Sequence, residues 1–163
     1  MFDSLLIDII KTTEFRYEEC IDKWIDWMHR FKDDDSSFIT LCWWDSSTQT
    51  LIHELWHELH AQIIIKARNG DEIAKKEARL WELMYENSKK ETEFTLESIF
   101  SDQYGDFISQ YASKNIYEDF AVTFEYMYSG RKIEYDNVRI NRKILFMEYL
   151  IDKYRDIYTF DWR

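Results

Sequence analysis

The 163-residue chain has no proline, three glycines, two cysteines and four histidines. An all-β sandwich or barrel needs turn residues at every hairpin, and so few glycines without proline do not supply them, so a mostly helical fold is expected. Cys20 and Cys42 have no CxxC spacing, so they read as reduced thiols of a cytosolic protein rather than as a disulfide or thiolate metal site. Long hydrophobic runs are also missing. Charges interrupt every apolar stretch before it reaches the ~18 residues of a membrane span. The first ten residues carry Asp3 and Asp8 among their apolar side chains and have no basic flank, so they do not read as a signal peptide. A cytoplasmic location is expected, and a phage- or toxin-related context is compatible with it.

Basic residues are few as well. There are 21 Lys and Arg against 32 Asp and Glu, a formal net charge of −11. That charge repels phosphate backbones and anionic lipid, so neither direct nucleic-acid binding nor membrane docking is expected. What the chain does have is aromatic bulk, 18% of its residues including seven Trp, which supplies the apolar area to offset the entropy of ordering and argues against disorder. The length suits one domain with a real core. No repeat or linker divides it.

Apolar spacing is mostly helical. Tyr17, Ile21, Trp24, Met28 and Phe31 step by three or four, which predicts a Trp-rich helix there with a structural His29. The stretch around Ile73 to Met84 repeats the pattern apart from a charged Glu77, and Val138 to Tyr158 forms a last helix capped by Asp136 or Asn137. Gly70, Gly105 and Gly130 each sit where a helix should stop. The best strand is Phe38 to Trp44, rich in β-branched and aromatic residues, with weaker partners at 12–17 and 92–96. The expected class is α+β and predominantly helical: N-terminal helices and a strand over 1–45, a central region over 48–129, and a C-terminal helix over 136–158.

The central region opens with His53-Glu54-Leu55-Trp56-His57, an HExxH motif. On an α-helix residues i and i+4 differ by about 40° of rotation and about 6 Å of rise, so both imidazoles can close on one metal ion. Glu54, beside the first His, lies at the edge of that face, within reach of a metal-bound water. The competing reading is an amphipathic helix whose leucines pack inward while its histidines fall on a polar face.

A third ligand must come from elsewhere. His60 is seven residues after His53, about 10 Å along the axis, and a zinc ion needs each nitrogen at about 2.1 Å. The metzincin position, six residues after His57, is Ile63. A carboxylate is the natural choice. If a helix begins near Asn115, then Glu118 and Glu125 lie about 60° and 40° from Ala121, while Asp119 points about 160° away. Asn115-x-x-Glu118 also has the spacing of a capping box, and Asp119 that of a first-turn acid facing the helix dipole. Spacing leaves both readings of Glu118 open, and leaves Glu125 open between a hydrogen-bond acceptor for a ligand His and a solvated acid.

HExxH followed by Tyr111-x-x-x-Asn115-x-x-Glu118-Asp119-Phe120-Ala121 resembles the zinc peptidases related to anthrax lethal factor, a group that includes the bacterial Pro-Pro endopeptidases. The resemblance spans roughly residues 48–129. It implies a zincin-like metallopeptidase domain of gluzincin type, with one Zn(2+) per chain held by His53, His57 and Glu118. It also implies Tyr111, seven residues before Glu118, as the stabiliser of the transition state. Three features depart from the family pattern. Trp56 stands where that motif has a small residue and is expected to reshape the cleft wall. Val122 replaces the usual glutamate after Ala121. The interval from His57 to Glu118 is long, and an extra helix around 71–87 accounts for it.

The expected activity is therefore hydrolysis of a peptide bond in a protein or peptide substrate. Glu54 would act as general base and Tyr111 as oxyanion donor. The alternative is a non-catalytic zincin-fold or acidic binding protein, an inhibitor or nucleic-acid mimic, acting on a protein partner, for which the acidic balance speaks. Substrate preference and oligomeric state are not written in the chain.

Overall fold

A computed structural model describes residues 9–10, 13–18, 27–31, 37–42, 48–92, 105–128 and 137–159. Among the described residues, helical residues 9–10 come first, followed by three strands, β1 (Glu14–Glu18), β2 (Trp27–Phe31) and β3 (Ser37–Cys42), and then four helices: α1 (Thr48–Arg68), α2 (Glu72–Thr92), α3 (Ile116–Tyr128) and α4 (Val138–Thr159). A single 3-10 turn, Ala112–Lys114, leads into α3. The described residues are thus predominantly helical with a small sheet, and none of their helices is long and apolar enough to cross a membrane. Cys20, Gly130, Asp136, Trp43 and Trp44 of the predicted strand, and 93–96 of its weaker partner lie outside the described residues, and Thr92 ends α2.

In the sheet, β3 is central. It runs parallel to β1, with Glu14 opposite Phe38, and antiparallel to β2, with Phe31 opposite Ser37. The helix expected over 17–31 is therefore corrected: its two ends are strands, and His29 lies in β2 opposite Ile39. The physical reason is tertiary. A central strand with buried Phe38, Ile39 and Thr40 leaves backbone donors and acceptors on two edges, and each edge needs a neighbour. That demand outweighs a helical spacing carried by five residues, several of them aromatics that suit a sheet equally well.

One face of α1, with Leu55, Leu59 and Ile63, packs into a core shared with Ile39 of β3, Trp81 of α2, Phe120 and Phe124 of α3, and Met147 and Leu150 of α4. Ser37 Oγ donates to Glu58 Oε2 at 2.7 Å, tying the start of β3 to α1. The helix expected around 71–87 is α2, between the two halves of the motif. Its Trp81 Nε1 donates to the Ile116 carbonyl at 3.1 Å, which holds the first turn of α3. Glu77, the charge on the apolar stripe of α2, is buried and accepts from Tyr149 Oη at 2.8 Å and Lys153 Nζ at 2.5 Å on α4.

The joint between α1 and α2 is three residues, Asn69, Gly70 and Asp71. Gly70 has φ 97°, its N–H donates to Ala67 O at 3.2 Å, and Asp71 N–H donates to Lys66 O at 3.0 Å, which closes the last carbonyls of α1. Asp71 Oδ1 then accepts from the amides of Ile73 and Ala74 at 2.9 and 3.0 Å, capping α2. A Cβ at Gly70 would meet nothing within 4 Å, so the cost of Gly70→Ala is conformational alone. Denaturant melting is expected to show a loss of about 1 kcal/mol, with Gly70→Asn losing less.

Candidate metal centre

The site is built where α1 faces α3. Ala121, fully buried, lets the two helices approach closely, and Trp56 of α1 stacks on Phe124 of α3 with centroids 4.3 Å apart and planes 10° from parallel. This corrects the expectation for Trp56: it is core filling, not a cleft wall, because its ring is completely buried against α3. Asn115 caps α3, its Oδ1 accepting from the amides of Tyr117 and Glu118 at 2.9 Å each. Glu118 does not complete a capping box. Its carboxylate turns to α1, where Oε2 lies 3.1 Å from His53 Nε2 and 3.4 Å from His57 Nε2.

His57 Nε2 and His53 Nε2 are themselves 3.1 Å apart. The three atoms form a nearly equilateral triangle at the wall of the α1–α3 contact, and these residues alone among those described form a group of His, Cys, Asp or Glu able to hold a metal ion. A tetrahedral ion with ligands at about 2.1 Å sets them about 3.4 Å apart, so the triangle suits a small divalent cation. Two imidazole nitrogens facing each other can share at most one proton, so either a proton or a bound cation can satisfy the triangle.

Glu125, one turn beyond Ala121 on α3, places Oε2 3.2 Å from His53 Nδ1. An Nδ1–H donated to that carboxylate leaves the Nε2 lone pair aimed into the triangle. Glu125 is therefore an acceptor for His53 rather than a solvated acid. Val122 packs with Phe107 and Ala112 instead, so the acceptor comes one turn further along α3.

The surrounding charges bear on the protonation of the site. Burial alone would lower the His53 pKa, but its contacts with Glu118 and Glu125 and the charge of Glu54 outweigh that and raise it to about 9. Burial would raise the Glu118 carboxyl, and the two imidazoles instead hold it well below the usual carboxylate range. Three carboxylates thus favour positive charge at one point.

Glu54 is buried, and its charge reaches both His53 and Tyr111. Tyr111 ends the turn before the 3-10 helix, with its ring centroid 6.0 Å from that of His53 and Lys114 Nζ 3.9 Å over the ring. Its phenol is pushed up to about 12, first by burial and then by the charge of Glu118 and a hydrogen bond to it, so it is a donor at neutral pH. All five predicted site residues, His53, Glu54, His57, Tyr111 and Glu118, therefore converge. His60 does not join them: it is buried, stacked on Phe120 at 4.2 Å.

Asp119 points away from the triangle, as its register requires, but it is not a first-turn surface acid. It is fully buried and pairs with the equally buried Lys143 of α4 at 2.8 Å. Burial pushes both groups toward their neutral forms, Asp119 up to about 6 and Lys143 downward, with each partner's charge opposing the shift. Lys143 Nζ also donates to the Asp106 carbonyl at 3.2 Å, which fixes the segment leading to Tyr111. Sequence reasoning missed this pair. Its signal is a lysine on the apolar face of a helix, between Ile140 and Met147, the same kind of exception that Glu77 makes on α2.

Compared with protein-family models, curated proteins and solved structures, the chain has no match, so the chemistry of this centre is read from its own residues.

Proposed function

We propose that the chain is a zinc-dependent peptidase of zincin-like type, its metal held by His53, His57 and Glu118. The observation that carries this reading is the triangle of two imidazole nitrogens and one carboxylate oxygen at 3.1 to 3.4 Å. Two nitrogens and an oxygen leave a tetrahedral ion one open position, the arrangement of catalytic rather than structural zinc. Bound there, zinc supplies Lewis acidity, lowering the pKa of water and polarising a substrate carbonyl.

The residues around the triangle divide the remaining work. Glu125 orients the His53 ring. Glu54 accepts the proton of the attacking water and delivers it to the leaving amine, so that one carboxylate serves both halves of the reaction. Tyr111 donates its phenolic hydrogen to the carbonyl oxygen as that oxygen gains charge. The resemblance of His53 to His57 and Tyr111 to Ala121 to the lethal-factor-related peptidases supports the same assignment.

The test is elemental analysis of the purified protein combined with a peptide-library cleavage profile in added zinc. The expected result is one zinc per chain, lost in His57→Ala, and cleavage by the wild type only. A chain with no metal affinity overturns the proposal. Full zinc with no cleavage of any peptide leaves a metal-stabilised, acidic binding protein as the better description.

A further inference from the structure

A cavity of about 400 Å3 lies along α1 beyond the metal centre, between α1, α2 and the first turn of α3. Its apolar lining comes from Ile64 and Ala67 of α1, Ala78 of α2 and Ile116 of α3, with His60 and Tyr117 beside them. The two alanines leave the space open, because larger side chains at those positions would fill it. The volume falls in the range of about 300 to 1,000 Å3 common for ligand pockets.

The register of α1 connects this cavity to the metal centre. Positions 53, 57, 60, 64 and 67 step by four and three, so the stripe that carries both motif histidines continues as the cavity floor. His60 lies about 10 Å along the axis from His53, and Ile64 as far from His57. On α3, Tyr117 immediately precedes Glu118. An extended chain of six residues spans about 20 Å, longer than the ~10 Å of helix that separates each motif histidine from the cavity-lining residue seven positions on.

The rim of the cavity is rich in bases. Arg68, Lys75 and Arg79 line the cavity against one carboxylate, Glu82, in a protein whose acids outnumber its bases 32 to 21. Lys75 pairs with Glu72, and Arg79 with Glu82, one turn away on the same helix, with all four side chains substantially exposed. Such pairs contribute little, and an incoming anion can replace their partners at small cost.

We infer that this cavity is a subsite for an acidic peptide segment, taking an apolar or aromatic side chain on the floor between Ala67 and Ala78 while its carboxylates meet Arg68, Lys75 and Arg79. The inference rests on the proposed peptidase reading for its biological meaning, as the side of the cleft that selects substrate. Its physical basis is separate: apolar floor, cationic rim, and a helix stripe shared with the metal centre. The net negative charge of the molecule disfavours acidic peptides in general, so binding of one here depends on the three rim bases.

The experiment measures binding rather than cleavage. The full-length Glu54→Gln protein, loaded with zinc, is titrated by fluorescence anisotropy with a panel of labelled hexapeptides carrying a central aromatic residue flanked by Asp and Glu. The matched panels carry Asn and Gln, or Lys, at the flanks. The acidic panel is expected to bind at least tenfold more tightly than either control, and Arg68→Glu/Arg79→Glu is expected to remove that preference with zinc content and melting temperature unchanged. Equal binding of the three panels, no binding by any, or preference retained in the double variant overturns the inference. Inhibition by inorganic phosphate without acidic-peptide binding also overturns it, in favour of a small-anion site. Acidic-peptide binding with no turnover by the wild type keeps the subsite and sinks the peptidase reading, so the two fail separately.

Discussion

Replacing Glu54 by Gln is expected to leave the zinc content of the protein unchanged while lowering peptide hydrolysis by about 10²- to 10⁴-fold, the usual contribution of a positioned general base. The amide has the shape of the carboxylate but cannot take a proton from water. Glu54 stands outside the triangle of His53, His57 and Glu118, so the ligand atoms are untouched. The side chain is buried, and an amide keeps hydrogen-bonding capacity that Glu54→Ala would discard, which is why Gln is the cleaner replacement. The measurement is kcat/KM on a cleaved peptide beside zinc stoichiometry for both proteins. Loss of zinc together with activity would make Glu54 part of the metal's support rather than the base. Unchanged activity would remove it from the mechanism altogether.

The largest effect on stability is expected at Lys143. Lys143→Met leaves the fully buried Asp119 carboxylate without its ion-pair partner and frees the Asp106 carbonyl, and such a loss costs about 3 to 5 kcal/mol. The ammonium also sits 4.2 Å over the Phe107 ring, a contact that methionine only partly replaces. The double variant Asp119→Leu/Lys143→Met is expected to regain most of the loss, because two apolar side chains carry no desolvation penalty. Urea titration of the three proteins checks this. A single variant within about 0.5 kcal/mol of wild type would mean that water reaches the pair. Asp119 follows Glu118 directly in α3, so the same single variant is expected to weaken zinc binding while the double variant restores it.

Much of the candidate site was legible because its residues lie in two short segments. His53, Glu54 and His57 share one helical turn and a spacing that only an α-helix makes useful, and Tyr111, Asn115 and Glu118 likewise sit within one short segment. The role of Glu118 was not local. Its position three residues after Asn115 fits a capping box as well as a ligand, and only the approach of α1 across Ala121 turns the carboxylate toward the imidazoles. The N-terminal strands were legible only in part. The composition of β3 announced a strand, whereas β2 was read as helix because its aromatic residues fit either period and its partner was unknown.

The sequence by itself determined the helical character of the chain, the turn at Gly70, the cap at Asn115, and the two imidazoles on one face of α1. Each depends on residues a few positions apart, where φ preference, capping and helical period act without knowledge of the rest of the molecule. Only the tertiary structure decided what long-range packing controls. It placed β1 and β2 on the two edges of β3, buried Lys143 on Asp119, turned Trp56 into the core, and drew Glu118 and Glu125 to His53. It also set Arg68, Lys75 and Arg79 around one cavity in an acidic protein. These are pairings between residues tens of positions apart, and their free energy comes from burial and desolvation, which no single segment can specify.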